Sequence, residues 1–448
     1  MWSPRWSRPS SRDPRRGHRR PLAPRRAAGG GPGLAATDGA EPALPSSFAV
    51  GTAAQASIAA MALAAASLHH QRGGPPQRVA VEMRHAAAEF RSERLFRVDG
   101  REAPELWDAI AGLYPTADGW VRLHTNFPHH RDGVLRLLGV ENDRAAVARA
   151  LLGWQARAFE DAAAEAGLCV AALRSFAEWD ASPGAGGGGL AGLRYPYRRC
   201  PAPALPAAAR PLQGLRVLEM TRIIAGPVAG RALAAHGADV LLITAPHLPA
   251  VAPLVIDTGR GKRSAQLDLR QPEGHARLEA LAREADVFLQ SYRPGALAAH
   301  GFGPERLTAL RPGIVHASLS AYGWDGPWQG RRGFDSLVQT ASGFNRAEAE
   351  AAGDSKPRPL PAQALDHASG YLLAFGILAA LHRRAAEGGS WQVRVSLAAT
   401  GRWLRGLGRL EQGFPAPDPK REDLWTCWKK PIPASGASAP CGTQRGWK

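Results

Sequence analysis

Cysteine is scarce: the four residues Cys169, Cys200, Cys427 and Cys441 are scattered through 448 positions with no C-x-x-C pair. That spacing excludes a disulfide framework and a zinc ribbon, and it fits a protein kept in the reducing cytoplasm. An apolar segment is missing behind the Arg-rich start, so no secretory signal is read there. The start is Ser/Arg-rich and acid-poor, as transit peptides are, but too rich in proline for their amphipathic helix. No metal centre is expected either. His124, His129 and His130 fall on a strand end and a Pro-containing turn without a supporting carboxylate pattern. One apolar run, 53–68, is long enough to raise the question of a membrane. Its alanine-rich make-up, with Gln55 and Ser57 inside it, suits a packed helix instead.

Charge is unevenly spread. The formal net charge is +17, but residues 1–26 hold nine Arg against one Asp and residues 411–448 hold six Lys/Arg against four Asp/Glu, leaving +7 for the body. A moderately basic body suits a small polyanionic ligand as well as it suits DNA, so neither a nucleic-acid nor a membrane partner is inferred.

Length predicts two folded units with tails. Residues 1–40 are Arg, Pro, Gly and Ser without apolar periodicity and are expected to be disordered. Residues 41–181 open with a helix, a Gly73-Gly74 stop and a strand at 78–83. They continue as a small mixed unit with a strand at 120–124 and one helix over 144–166. Residues 182–211 form a Gly/Pro linker. In 212–410 strands at 216–220, 239–243, 264–269, 286–292 and 314–320 alternate with helices at 230–236, 272–284 and 304–310. Such alternation implies an α/β fold with a doubly wound, mostly parallel, nucleotide-binding-like sheet beside the smaller mixed α+β domain. Residues 411–448 lack periodicity and read as an irregular tail.

An internal repeat focuses attention on Asp366. The stretch 364–397 carries an apolar helix, a basic turn (His382, Arg383, Arg384), a Gly388-Gly389 stop and a strand from Trp391, as the stretch from residue 44 does. Matched through Leu68 and Leu381, the first copy has Ala53 where the second has Asp366. Two readings stand for this carboxylate. It is an N-cap for its helix, or a nucleophile that the positive helix terminus keeps ionised.

The α/β part carries, in order, Thr221-Arg222-Ile223-Ile224-Ala225-Gly226-Pro227, His236-Gly237-Ala238-Asp239, Arg260-Gly261-Lys262-Arg263, Tyr292-Arg293-Pro294-Gly295, Gly333-Phe334-Asp335 and Asp366. This series resembles the family III CoA-transferases (the CaiB/BaiF group), which include formyl-CoA and carnitine CoA-transferases and the α-methylacyl-CoA racemases. Residues 45–200 resemble the later part of the same family, so the segment order looks permuted. The resemblance implies a CoA-transferase that moves CoA from an acyl-CoA donor to a small carboxylic acid acceptor. Asp366 would be its nucleophile, working through covalent aspartyl intermediates, with neighbouring helix amides stabilising oxyanions. Coenzyme A is then a substrate, and no cofactor is permanently bound. The implied CoA contacts are Ile224, Ala225, Lys262, Arg263, Ser291, Tyr292, Arg293, Tyr322 and Gly323. Relatives form interlocked dimers, so the resemblance leaves room for a homodimer. The alternatives are an acyl-CoA racemase or isomerase, or a degenerate homologue that only binds CoA. Racemase relatives place a His where this chain has Phe334, and racemisation needs two proton-transferring groups, so transfer is favoured.

Overall fold

The computed structural model describes residues 35–102, 104–185, 193–194, 201, 205–420 and 422. The start through residue 34, the glycine run 186–189 and the chain beyond 422 lie outside the described residues, and with them most of the expected disorder and linker. Six parallel strands form the centre: β1 (Arg216–Met220), β2 (Asp239–Thr244), β3 (Arg263–Gln266), β4 (Val287–Gln290), β5 (Val315–Ser320) and β6 (Trp391–Ser396). Their order is β3-β2-β1-β4-β5-β6, with a short antiparallel strand, Leu193–Arg194, at the β6 edge. The order reverses between β1 and β4, the place where open α/β sheets bind ligands at their carboxyl ends.

Period-two alternation builds a core on each face. Val217, Leu289 and Val315 point to one side, and Leu218, Phe288 and Ile243 to the other. On the second side they meet Leu278 and Leu307, from helices Pro272–Glu284 and Pro304–Leu310. On the first side pack α1 (Val50–Gln71), α2 (Ala225–Ala235) and α3 (Ala364–Glu387), and Ala54, Val228 and Leu373 share one cluster with the strands. The front of the chain thus contributes a core helix to the α/β unit. By length and composition α1 and α3 could each cross a membrane; the burial of α3 within protein accounts for its apolar surface.

α3 carries the candidate nucleophile, and its position is set at both ends. Gly388 takes φ +71° and ends the helix. Arg384, 1% exposed, ties that end to the Asp286 carboxylate at 3.2 Å and the Gly313 carbonyl at 3.0 Å. Nearer the start, Gly370 lets α2 approach closely. A Cβ there would stand 2.6 Å from the Ala225 carbonyl oxygen and 2.8 Å from the Val228 side chain. Gly370→Ala is therefore expected to cost about 1–3 kcal/mol of stability, read from the denaturation midpoint. Gly406→Ala, which meets nothing within 4 Å, serves as the near-neutral control.

The smaller unit is an antiparallel sheet of Gly112–Pro115, Trp120–Leu123 and Val170–Ala172 with its own core around Ile110, Val121 and Phe159. The single helix expected over 144–166 is in fact two, Arg144–Leu151 and Ala156–Glu165. The break has a polar cause: the Asp118 carboxylate accepts the Ala156 amide at 2.8 Å and starts a new helix after Gly153. Helix α2 begins at Ala225, five residues before the expected 230, because its first turn is the Ala-Gly-Pro that reads as a loop in sequence.

Candidate active site

Asp366 lies in the first turn of α3, but it is not the N-cap; Gln363 holds that place and makes no side-chain cap. Capping comes from elsewhere. The Asp335 carboxylate, on helix Asp335–Ala341, accepts the amides of Leu365 and Asp366 at 2.8 and 2.9 Å. Gln339 donates to the other Asp335 oxygen and accepts the Leu360 amide at 2.9 Å, which fixes the segment leading into α3. The next amide, of His367, bonds to Gln363 in the ordinary helical pattern. These amides are engaged, so the expected oxyanion donors at this helix start are already committed. What remains unengaged is the Asp366 side chain: among the described residues nothing donates a hydrogen bond to its carboxylate.

The two helix starts of the repeat match closely. Ala49 and Gln363 share φ −75° and ψ 62°, and the Glu41 carboxylate accepts the Thr52 amide at 2.6 Å as Asp335 does that of Asp366. Counted from the helix starts, Thr52 rather than Ala53 corresponds to Asp366. One copy keeps the capping acid alone, and the other adds a second acid.

Electrostatics correct the expectation that the helix terminus keeps Asp366 ionised. Burial, then the nearby charges of Asp335 and Glu93, push its carboxyl well above the ordinary range. Burial likewise raises Asp335, to about 6, against the pull of its amide donors. Glu93 is pushed up by burial too, but its hydrogen bond to His367 at 3.1 Å holds it below its ordinary value. Between the ordinary carboxylate range and the folded value, the unfolded chain has released a proton that folded Asp366 keeps, so this group makes stability fall as pH rises. Asp366→Asn is expected to be nearly neutral to stability at about pH 4 and stabilising at about pH 8. Thermal melts across pH check this; a difference independent of pH contradicts it.

Asp366 stands between two cavities. One, of about 360 Å³, lies at the carboxyl ends of β1, β4 and β5, and is lined by Ile224, Ala225, Ser291, Tyr292 and Arg293 of the expected contacts. Arg222 and Arg332 also line it. No carboxylate among the described residues pairs with Arg222, Arg293 or Arg332, and Arg332 Nε is buried without a partner. Ile223 takes φ +73°, rare for a β-branched residue and a form of strain that collects at functional sites. The second cavity, about 40 Å³, shares Phe334, Ile223, Ile224 and Asp366 with the first.

Four expected contacts fall elsewhere. Lys262 is buried and bound to Glu219 and the Pro227 carbonyl, each at 2.8 Å, because the fully buried Glu219 requires a countercharge. Arg263 pairs with Asp239 at the amino ends of the strands, beside a groove of about 1440 Å³ that does not include Asp366. Tyr322 packs between Trp179 and Trp328, facing an adjoining cavity, and Gly323 forms the turn behind it. Sequence reasoning missed Arg222, Arg332 and the capping role of Asp335. The signals present were the Thr221-Arg222 and Gly333-Phe334-Asp335 motifs.

With this geometry in hand, comparison with known proteins is decisive on ancestry. The model of the family described as CoA-transferase family III matches residues 25–210 and 212–423. The chain belongs to CoA-transferase family III. An acyl-CoA transferase of Gibberella moniliformis is 30% identical over 377 residues, which cover 74% of this chain and 66% of the relative. A probable fatty acyl-CoA transferase of Mycobacterium tuberculosis is 35% identical over 231 residues, 47% of this chain and 58% of its own length. A crystal structure of that mycobacterial protein aligns over 44% of this chain and 59% of its own, with a TM-score of 0.41. The chain spans about half the length of most of the curated family members it matches. The two segments matched by the family model meet at residue 211, where the α/β part begins.

Proposed function

We propose that the chain transfers CoA from an acyl-CoA to a carboxylic acid, with Asp366 as the covalent nucleophile. The observation that carries this is a carboxylate relieved of capping by Asp335 and lining two cavities that Phe334 also lines. A carboxylate made basic by burial is a stronger nucleophile once ionised. It attacks the thioester carbonyl; the C–S bond breaks, CoA leaves as thiolate and an acyl-aspartyl anhydride forms. The thiolate then attacks the aspartyl carbon, releasing the donor acid and leaving an aspartyl-CoA thioester. The acceptor carboxylate attacks that carbon in turn, and the expelled thiolate closes the cycle on the acceptor's acyl carbon. Asp366 is regenerated and no net proton is consumed.

On this reading the larger cavity takes the pantetheine arm and the anionic parts of CoA face Arg222, Arg293 and Arg332. Ile224, Ala225, Ser291 and Tyr292 form its floor at the Rossmann-like switch point. No permanent cofactor is required. Phe334 offers no proton-transferring atom at the position where racemase relatives place a His, which favours transfer. Racemisation would have to run through another group, such as His124, which lines a cavity with Asp366. The test is a panel of acyl-CoA donors against carboxylic acid acceptors, read by mass spectrometry. Formation of acceptor-CoA matched by loss of donor acyl-CoA is expected; α-hydrogen exchange with solvent and no CoA transfer would favour the racemase instead.

A further inference from the structure

The smaller cavity, of about 40 Å³, has room for about three water-sized groups. Trp107, Leu106 and Phe334 give it apolar walls, and His124 contributes a polar one. His124 is 5% exposed and comes from the smaller unit, just beyond strand Trp120–Leu123. Its ring stacks on Phe334 at 3.8 Å between centroids and 11° between planes, and meets Trp107 edge-on at 5.7 Å. Nδ1 lies 3.4 Å from the Ser336 hydroxyl. Nε2 is buried with no hydrogen-bond partner among the described residues. A buried polar atom left unpaired costs free energy that a bound group recovers. Here the unpaired atom belongs to a ring held by a stacked Phe334 and an edge-on Trp107, lining a cavity that Asp366 also lines.

The chemistry of the walls narrows the occupant. Glu93, Asp335 and Asp366 all line this space, and Arg94 lies 3.5 Å from the Glu93 carboxylate. A second carboxylate placed here would meet three acids. A hydroxyl meets no such repulsion, and it can accept from or donate to a neutral imidazole whichever tautomer is present. Burial holds the His124 imidazole neutral, which agrees with that pairing.

Resting on the transferase reading of Asp366, we infer that this cavity is the acyl subsite and that His124 Nε2 selects a short hydroxyacyl group. The thioester carbonyl sits at Asp366, the CoA arm leaves through the larger cavity, and about three further non-hydrogen atoms, one of them a hydroxyl oxygen, fill the smaller one. Acyl length is limited by Trp107 and Phe334, and polarity is read by His124.

The experiment compares propionyl-CoA, 3-hydroxypropionyl-CoA, malonyl-CoA and hexanoyl-CoA as donors. The hydroxylated donor is expected to exceed propionyl-CoA in kcat/KM by about tenfold, the worth of one buried hydrogen bond, with malonyl-CoA below both. His124→Leu should bring the hydroxyacyl-to-propionyl ratio to about one, and His124→Gln, which keeps a donor, should hold it above one. Trp107→Ala, at a half-exposed position, should raise hexanoyl-CoA relative to propionyl-CoA. A wild-type ratio of one, a ratio unmoved by His124→Leu, or a preference for malonyl-CoA would overturn the inference. Affinities of the same thioesters for Asp366→Ala, by calorimetry, separate it from the mechanism. The same order of binding with no transfer by the wild type keeps the subsite and removes the transferase, whereas transfer without that order does the reverse.

Discussion

Replacing Asp366 by alanine is expected to lower CoA transfer by about ten-thousandfold or more, the scale seen when a covalent nucleophile is removed. CoA affinity should stay within about threefold, since the substitution removes no group that holds the thioester's CoA portion. The asymmetry follows from the cap. Asp335 grips α3 through the backbone amides of Leu365 and Asp366, so deleting the Asp366 side chain leaves the start of the helix in place. The fold should gain stability at neutral pH, because one of three crowded acids is gone. Steady-state transfer, calorimetric titration with CoA and thermal melts together read this result. An inactive variant that has also lost CoA binding would point to a structural role instead.

Asp335 should show the opposite pattern. Asp335→Ala leaves two buried amides without an acceptor, each worth about 1–3 kcal/mol, so a loss of roughly 2–6 kcal/mol is expected. A nucleophile displaced by even a fraction of an ångström loses its alignment, and kcat should fall by about a hundredfold. Asp335→Asn separates support from charge. Its oxygen can still accept the two amides, but its NH2 would face the Gln339 amide that now donates to Asp335. Asn also removes a negative charge beside Asp366, which lowers the pH at which Asp366 ionises. The two acids titrate as a pair, so the profile reports their combined values. The acidic limb of the pH–rate profile should therefore shift to lower pH in Asp335→Asn. A loss of rate with an unmoved limb would mean that the charge of Asp335 does not reach the nucleophile.

Much of the scaffold was legible in the sequence because it rests on local signals. Helices Pro272–Glu284 and Pro304–Leu310 were bounded by proline at their first position, and Gly388-Gly389 marked the end of α3. Strand β1 was read to the residue from its place in the strand–helix alternation. What escaped were relations between distant segments. Asp118 splits a helix that begins 38 positions later, and Asp335 caps one some 30 positions away. Nothing in their own neighbourhood betrays either task. Lys262 misled for a related reason: a basic residue beside a glycine resembles an anion ligand until Glu219, 43 positions earlier in β1, proves to be buried against it. Charge state was the other illegible quantity. A helix start alone argues for an ionised Asp366, whereas burial by the fold, and then the two acids it brings near, Asp335 and Glu93, argue more strongly the other way.

The most direct measurement is hydroxylamine trapping during turnover, followed by mass spectrometry of the peptide that contains position 366. The account predicts a hydroxamate on Asp366 that appears only when acyl-CoA is present and is absent from Asp366→Ala. Steady transfer of CoA with Asp366 recovered unmodified would contradict it.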